Sequence, residues 1–408
     1  MKIAALMAGA IAALLVAAPN AGAQTDRQKG TEVRSLDEVK AEVMRRAGRI
    51  NPFEGIRRDD AEKVLASLTS LDPDAWGEAW CRVGLDHEAK ADALAKQGAA
   101  DKELADAYML AFSNCMIARY PVPSSAKKLD AYRQSLRMFR KAAAHFDPPL
   151  TIVEIPFEGK TLTGYLQIPH GVTRPPVVIH WGGVDGWKED RQRASALLHR
   201  AGLATLTVDM PGTGENPVLY GDAAAQRTYG AWIDHLAQRN DVDGSRIGVW
   251  GGSFGAYWAA RLAYVEASRL KAAVFQGGNA HYGFQEKWLV PAFTTGGATY
   301  LFGAASLLEA RGRALGTKTM AEFLAAAPKL SLKELGLLDK PSAAILGVNG
   351  KHDDQAPVAD IHLLMEHGSP KCARIYADGH HMGRTPGQPA DHITHTIVDW
   401  LKAQLVPA

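Results

Sequence analysis

The sequence predicts an α/β protein: a mostly parallel sheet covered by helices, preceded by an all-helical N-terminal unit. Three observations carry this. Residues 35–145 are rich in Ala, Leu, Lys, Glu and Arg, with apolar residues at helical spacing. At "HFDPPLTIVEIPFEGKTLTGYLQIPHG" the period changes from helical to alternating. Beyond it the β-rich runs "PPVVIHW", "LATLTVDM", "RIGVWG", "AAVFQG", "SAAILGV" and "ARIYAD" are each followed by a helix-compatible stretch, the pattern of parallel strands covered on both faces.

In chain order, "MKIAALMAGAIAALLVAAPNAGAQTDRQ" has an early lysine, a short apolar run broken by Pro19, and Ala21-Gly22-Ala23 as a cleavage site. It reads as a signal peptide over residues 1–23. The mature chain is expected to begin near Gln24, in the periplasm or secreted. The run is short for a span of about 20 residues, so stable membrane insertion is not expected. Residues 24–148 form the helical unit. Its segment "LDPDAWGEAWCRVGLDHEAKADALAKQ" opens on a helix-starting "DPD" and keeps Trp76, Trp80 and Val83 on one stripe, as packing against another helix requires. Cys81 and Cys115 lie at almost equal distances from the turn at "KQGAADKE". In an antiparallel helical hairpin they would be level, so a bridge stands open beside two separate thiols, with Cys372 left over as a buried thiol.

Pro148-Pro149 marks the seam, and residues 149–408 form the α/β domain, opening on a hairpin. Residues 279–340 are longer than a sheet crossover requires, and part is read as helices over the mouth of a site; ordinary crossover helices with a decorated loop are the alternative. "DHITHTIVDWLKAQL" closes the domain, with Ile393, Ile397, Trp400, Leu401 and Leu405 on one face. A chain of 408 residues, 47% hydrophobic, can bury a large core and carry a second unit. A net charge of +2 without a long basic run argues against nucleic acid as a partner.

The chemistry centres on "IGVWGGSFGAYWAARLA". Gly251-x-Ser253-x-Gly255 sits where a strand turns sharply into a helix, which strains the serine and lifts its hydroxyl above the sheet. The Phe254 N–H then lies at a helix N-terminus, suited to a developing oxyanion. A serine needs a base and the base an orienting acid, in the chain order Ser, acid, His. "NGKHDDQAP" follows a strand, and the spacing from Gly350 to Pro357 favours Asp353 over Asp354 as the acid. "ARIYADGHHMGRTPG" supplies His380 and His381, one of which is the base. "HWGGVDGWKED" supplies a second oxyanion donor, the N–H of Gly183 or Val184, against a plain Gly-rich turn. "EGKT" is a hairpin turn rather than a phosphate loop, and "DMPGTGENP" lacks the third glycine of a dinucleotide fingerprint. No metal-ligand spacing is recognised among the histidines, so no metal or other cofactor is expected.

These motifs resemble a known family. "AYMLAFSNCMIARYPVP", "YRQSLRMFRKAAAHFDPP", "VEIPFEGKTLTGYLQIP", "GGVDGWKED", "VDMPGTGEN" and the elbow are similar to the FrsA-type esterase and dihydroxypseudooxynicotine hydrolase family of α/β-hydrolases, over nearly the whole mature chain. The resemblance implies an α/β-hydrolase domain under a helical cap, with substrate between them and catalysis by Ser253, Asp353 and a histidine. The family's base tends to follow Gly-x-His, which falls on Gly379-His380-His381 and favours His381. The leader and "MGRTPGQPAD" depart from the family pattern. The resulting expectation is an exported serine hydrolase cleaving a carboxylic ester of a largely apolar small molecule, with Trp187 and Trp288 among the aromatic residues near the mouth. Two alternatives stand beside it: a carbon-carbon hydrolase of a 1,3-dicarbonyl compound, and a non-catalytic ligand-binding protein on the same scaffold. Homo-oligomerisation is left open.

Overall fold

Continuous apolar runs need neighbours on both sides and cover on both faces, and the inner strands obtain both. In a computed structural model, which describes residues 34–293, 300–367, 371–389 and 391–406, the strands are β1 (Leu150–Phe157), β2 (Lys160–Gln167), β3 (Pro176–Trp181), β4 (Ala204–Val208), β5 (Asp243–Gly252), β6 (Leu270–Gln276), β7 (Ala344–Gly350) and β8 (Lys371–Tyr376). They form one sheet in the order β1-β2-β4-β3-β5-β6-β7-β8, with β1/β2 and β2/β4 antiparallel and the other pairs parallel. Every residue of β3 and β4 is buried. The β1–β2 hairpin turns on Glu158 and Gly159, both at positive φ (48° and 75°), as a two-residue loop that follows the sheet's twist requires. "EGKT" is thus a hairpin turn.

Before the sheet come α1 (Leu36–Arg46), α2 (Arg58–Ser67), α3 (Pro73–Lys96), α4 (Asp101–Arg119) and α5 (Ala126–Ala143). Asp72 starts α3 by accepting from the N–H groups of Asp74 and Ala75, with Pro73 at the first helical position. Trp76, Trp80 and Val83 are buried, and the Trp76 ring lies 5.7 Å from Trp80 and 4.8 Å from Phe302. Helices α3 and α4 approach closely at Gly84, where a Cβ would meet Cys115 Sγ at 2.8 Å and the Ala111 carbonyl at 2.9 Å. One turn away Cys81 and Cys115 are joined in a disulfide. Cys372, expected buried, is exposed: β8 is the last strand of the sheet, and residues 372–374 face solvent.

Helix α5 packs on the sheet domain through Phe139 stacked on Tyr165 at 5.1 Å and Tyr132 edge-on to Trp187 at 4.7 Å. Arg119, at the end of α4, lies over the Trp187 ring at 3.8 Å and pairs with Asp190 at 2.9 Å. Beneath them Lys188 is fully buried among Glu189, Asp209 and Glu215, at 2.7–2.8 Å from each. The residues of "GGVDGWKED" and "VDMPGTGEN" therefore interlock through one buried cation.

Residues 279–340 contain α9 (Glu286–Pro291), α10 (Ala304–Leu315) and α11 (Met320–Ala326) after a short 3-10 turn. Asp360 anchors the start of this segment by accepting from the N–H groups of Ala280, His281, Tyr282 and Gly283 at 2.7–2.9 Å. The end of α10 is held on the loop after β4: the Tyr220 N–H donates to the Ala314 carbonyl at 2.9 Å, and a Cβ on Gly212 would lie 2.3 Å from that carbonyl. Helix α13 (His392–Leu405) buries Ile393, Ile397, Leu401 and Leu405 under the sheet. The leader expected over residues 1–23 lies outside the described residues, among which no helix is long and apolar enough to cross a membrane.

Candidate active site

Strand β5 ends in Gly251-Gly252, and after a single turn at residues 253–255 the chain continues as α8 (Ala256–Val265). The corner puts Ser253 at φ 54°, a conformation that L-residues adopt only when their surroundings impose it. The surroundings are tight. A Cβ on Gly251 would sit 2.4 Å from the Gly255 carbonyl, and one on Gly255 would sit 2.1 Å from the Gly182 carbonyl. The Trp181 indole N–H donates to the Gly255 carbonyl at 2.9 Å and fixes the corner from β3.

Ser253 Oγ lies 2.8 Å from His381 Nε2, and His381 Nδ1 lies 2.8 Å from Asp353 Oδ2. Three loops, after β5, β7 and β8, thus deliver one hydrogen-bonded line. The β7 and β8 loops are fastened to each other: the His352 N–H donates to the Gly379 carbonyl at 2.9 Å, and Gly350 packs so closely on Gly379 that a Cβ would overlap it. Asp353 Oδ1 accepts from the N–H groups of Gln355 and Ala356, leaving Oδ2 for the imidazole. Burial pushes the Asp353 carboxyl up, but the His381 charge and hydrogen bond together with the Gln355 N–H outweigh it and hold the group below the usual range. His381 Nδ1 is thereby the donor to a carboxylate, and Nε2 faces the serine as an acceptor.

His380 is exposed, 6.1 Å ring to ring from His352, so the structure brings His381 and not His380 to the serine. Asp354 is half-buried, and His381 pairs with Asp353 instead. Gly183 runs directly past Ser253: a Cβ there would meet Ser253 Cβ at 2.8 Å and the Phe254 nitrogen at 3.3 Å. Gly183 and the Phe254 N–H therefore flank the serine together, with Val184 buried next to them. Trp187 is occupied by Arg119 and Tyr132 and is packing core, while Trp288 is half-buried.

Sequence reasoning did not single out several residues around this line. Gln276, at the end of β6, accepts from the Trp250 indole at 2.9 Å and donates to the Met382 carbonyl at 3.1 Å, bracing the loop of His381 where Met382 has φ 63°. Tyr220 stacks on Phe254 at 4.4 Å and donates to its carbonyl at 3.1 Å. Asp185, beside Val184, accepts from the hydroxyls of Tyr120 at 3.1 Å and Tyr300 at 2.8 Å, while its carbonyl accepts from Arg119 at 2.9 Å. Burial and the Asp185 charge push both phenols up, so both keep their protons and donate. The presence of Asp185 inside "GGVDGWKED" was the one available signal. Gln276, Tyr220 and Tyr300 lie in no recognisable motif.

A mostly parallel eight-stranded sheet with a strained serine at the corner after an inner strand, and an acid and a histidine on the loops that follow, defines an α/β-hydrolase. The fold agrees with solved structures: the crystal structure of a 2,6-dihydroxy-pseudo-oxynicotine hydrolase is similar at TM-score 0.71 and 22% identity, over 86% of this chain and 94% of that one. AbyA5 is similar at TM-score 0.63 and 22% identity, over 85% and 92%. More particularly, the Esterase FrsA-like family model matches residues 43–374, and the chain belongs to that family. Esterase FrsA of Photobacterium profundum is 26% identical over 354 residues, covering 85% of this chain and 80% of that protein. The α/β hydrolase psoB of Aspergillus fumigatus is 30% identical over 249 residues, covering 55% and 54%. The chain is a hydrolase.

Proposed function

We propose that the protein cleaves a carboxylic ester of a largely apolar small molecule through an acyl-enzyme on Ser253. The observation that carries this is the line Ser253–His381–Asp353, with 2.8 Å at each link and the serine held at φ 54°. His381 Nε2 takes the Ser253 proton as Oγ attacks the carbonyl carbon, and Asp353 steadies the imidazolium that forms. The carbonyl oxygen becomes an oxyanion that accepts from the N–H groups of Phe254 and of Gly183 or Val184. Collapse expels the alcohol, protonated by His381. Water, deprotonated by the same nitrogen, then releases the acid and restores the serine.

The apolar character of the substrate is supported by the aromatic pair beside Ser253, Phe254 and Tyr220, stacked at 4.4 Å. Export is supported by the Cys81–Cys115 disulfide, which belongs to an oxidising compartment. The test is hydrolysis of p-nitrophenyl butyrate by the mature protein and by Ser253→Ala. Turnover by the first and none by the second is expected. Equal turnover would sink the assignment, and products of an acid plus a ketone from a β-diketone, with no action on esters, would replace it by carbon-carbon hydrolysis.

A further inference from the structure

Arg311 projects from α10 into the surroundings of the nucleophile. It is 2% exposed, and its guanidinium carbon lies 5.6 Å from the centre of the Phe254 ring and 5.6 Å from that of Phe293. Its Nε and Nη1 have no hydrogen-bond partner among the described residues. A buried guanidinium cannot escape by losing its proton, so it demands an anion.

The carboxylates and phenols that act on it through space are bonded elsewhere. Asp353 is held by Gln355, Ala356 and His381. Asp185 is held by Tyr120 and Tyr300. Tyr220 gives its hydroxyl proton to the Phe254 carbonyl. Burial pulls the guanidinium's pKa down, and Tyr300, Asp353, Asp185 and Tyr220 oppose that through space without bonding to it. The helix that carries Arg311 is fixed at Ala314 by Tyr220 and Gly212, so the group is held in place before any ligand arrives.

We infer that Arg311 is a specificity residue that receives a carboxylate on the substrate, so that the preferred ester is an apolar molecule bearing one free carboxylate besides the scissile ester group. The planar fork of Nε and the Nη atoms matches two carboxylate oxygens, and its seat on Phe254, the residue after the nucleophile, sets the carboxylate close to the reacting carbonyl. The inference rests on the serine-hydrolase reading above and deepens it.

The test uses isosteric pairs, one for each side of the ester: mono-p-nitrophenyl adipate against p-nitrophenyl adipamate, and m-carboxyphenyl butyrate against m-carbamoylphenyl butyrate. The wild type is expected to prefer the carboxylate in one pair by at least about tenfold in kcat/KM, chiefly through KM. In Arg311→Gln that ratio collapses towards one, whereas a merely structural role would lower both members equally and leave the ratio standing. No preference in either pair, or a preference that survives Arg311→Gln, overturns the assignment. If the variant does not fold, the wild-type ratios decide alone. Cleavage of the neutral esters that is lost in Ser253→Ala upholds the hydrolase reading whatever these ratios are. Were no ester cleaved, calorimetric titration of the wild type with benzoate and benzamide still reads the anion site: selective binding of benzoate supports it and equal binding overturns it.

Discussion

At the residue scale, the line from Ser253 to Asp353 depends on which nitrogen of His381 faces which partner. Replacing Asp353 by Asn keeps the shape but permits the wrong tautomer, and kcat is expected to fall by about 10³- to 10⁴-fold, measured on p-nitrophenyl butyrate. His381→Ala should remove turnover, whereas the exposed His380, replaced by Ala, should leave most of it; the reverse order would reassign the base. Gly183→Ala puts a methyl carbon only 2.8 Å from Ser253 Cβ. The loop or the serine must shift, and about a hundredfold loss of kcat is expected with little change in melting temperature. The positions of Ser253 and Asp353 and the close-packed glycines were legible in the sequence because strand, elbow and loop each have a local signature. His381 was not separable from His380 by local pattern, since the choice depends on which side chain the turn through Met382 aims at Ser253. Arg311 and Gln276 have no signature, because each acts across contacts distant in sequence.

At the element scale, helix α6 (Gln192–Arg200) is tied to the sheet by two histidines, the half-buried His199 to the Thr205 hydroxyl at 2.8 Å and the buried His180, on β3, to the Ser195 hydroxyl at 3.1 Å. Burial lowers His199 to about 4 and lowers His180 well below its ordinary value. Below the ordinary value of about 6.5 the unfolded chain binds protons that the folded chain refuses. Their stabilisation is therefore complete above pH 6.5 and declines below it, for His199 by about 3 kcal/mol as pH falls towards 4. Urea unfolding at about pH 7.5 and about pH 4.5 should show this loss, and His199→Gln should reduce it; an unchanged slope would contradict the neutral pair. The α3–α4 hairpin carries the disulfide, whose sequence separation of 34 corresponds to about 3–4 kcal/mol of loop entropy. Cys81→Ser with Cys115→Ser should lower the midpoint of unfolding accordingly. Equal spacing about a turn made this pair legible. The exposure of Cys372 was not, because the strand pattern of "ARIYAD" does not say that β8 is an edge.

At the scale of the whole molecule, the helical unit, the sheet and the 279–340 segment meet at Asp185, through Tyr120, the loop after β3, and Tyr300 respectively. Removing both hydroxyls, in Tyr120→Phe with Tyr300→Phe, takes two donors from the half-buried Asp185 carboxylate beside Gly183 and Val184. The double variant is expected to lose more activity than the single variants sum to, with a coupling of about 1 kcal/mol, and strict additivity would show that the two contacts do not act together. The order of helical unit, hairpin and parallel strands was visible from the change of hydrophobic period alone. That the three parts converge on Asp185 was not, since it depends on α5 stacking Phe139 on Tyr165 and on α10 seating against the loop after β4.

The central claim is that Ser253 is the nucleophile activated by His381. Labelling of the mature protein with a fluorophosphonate, followed by peptide mapping, tests it most directly. One adduct on Ser253 is predicted, absent from Ser253→Ala and formed far more slowly in His381→Ala; an adduct on another residue, or none while ester turnover persists, would contradict the account.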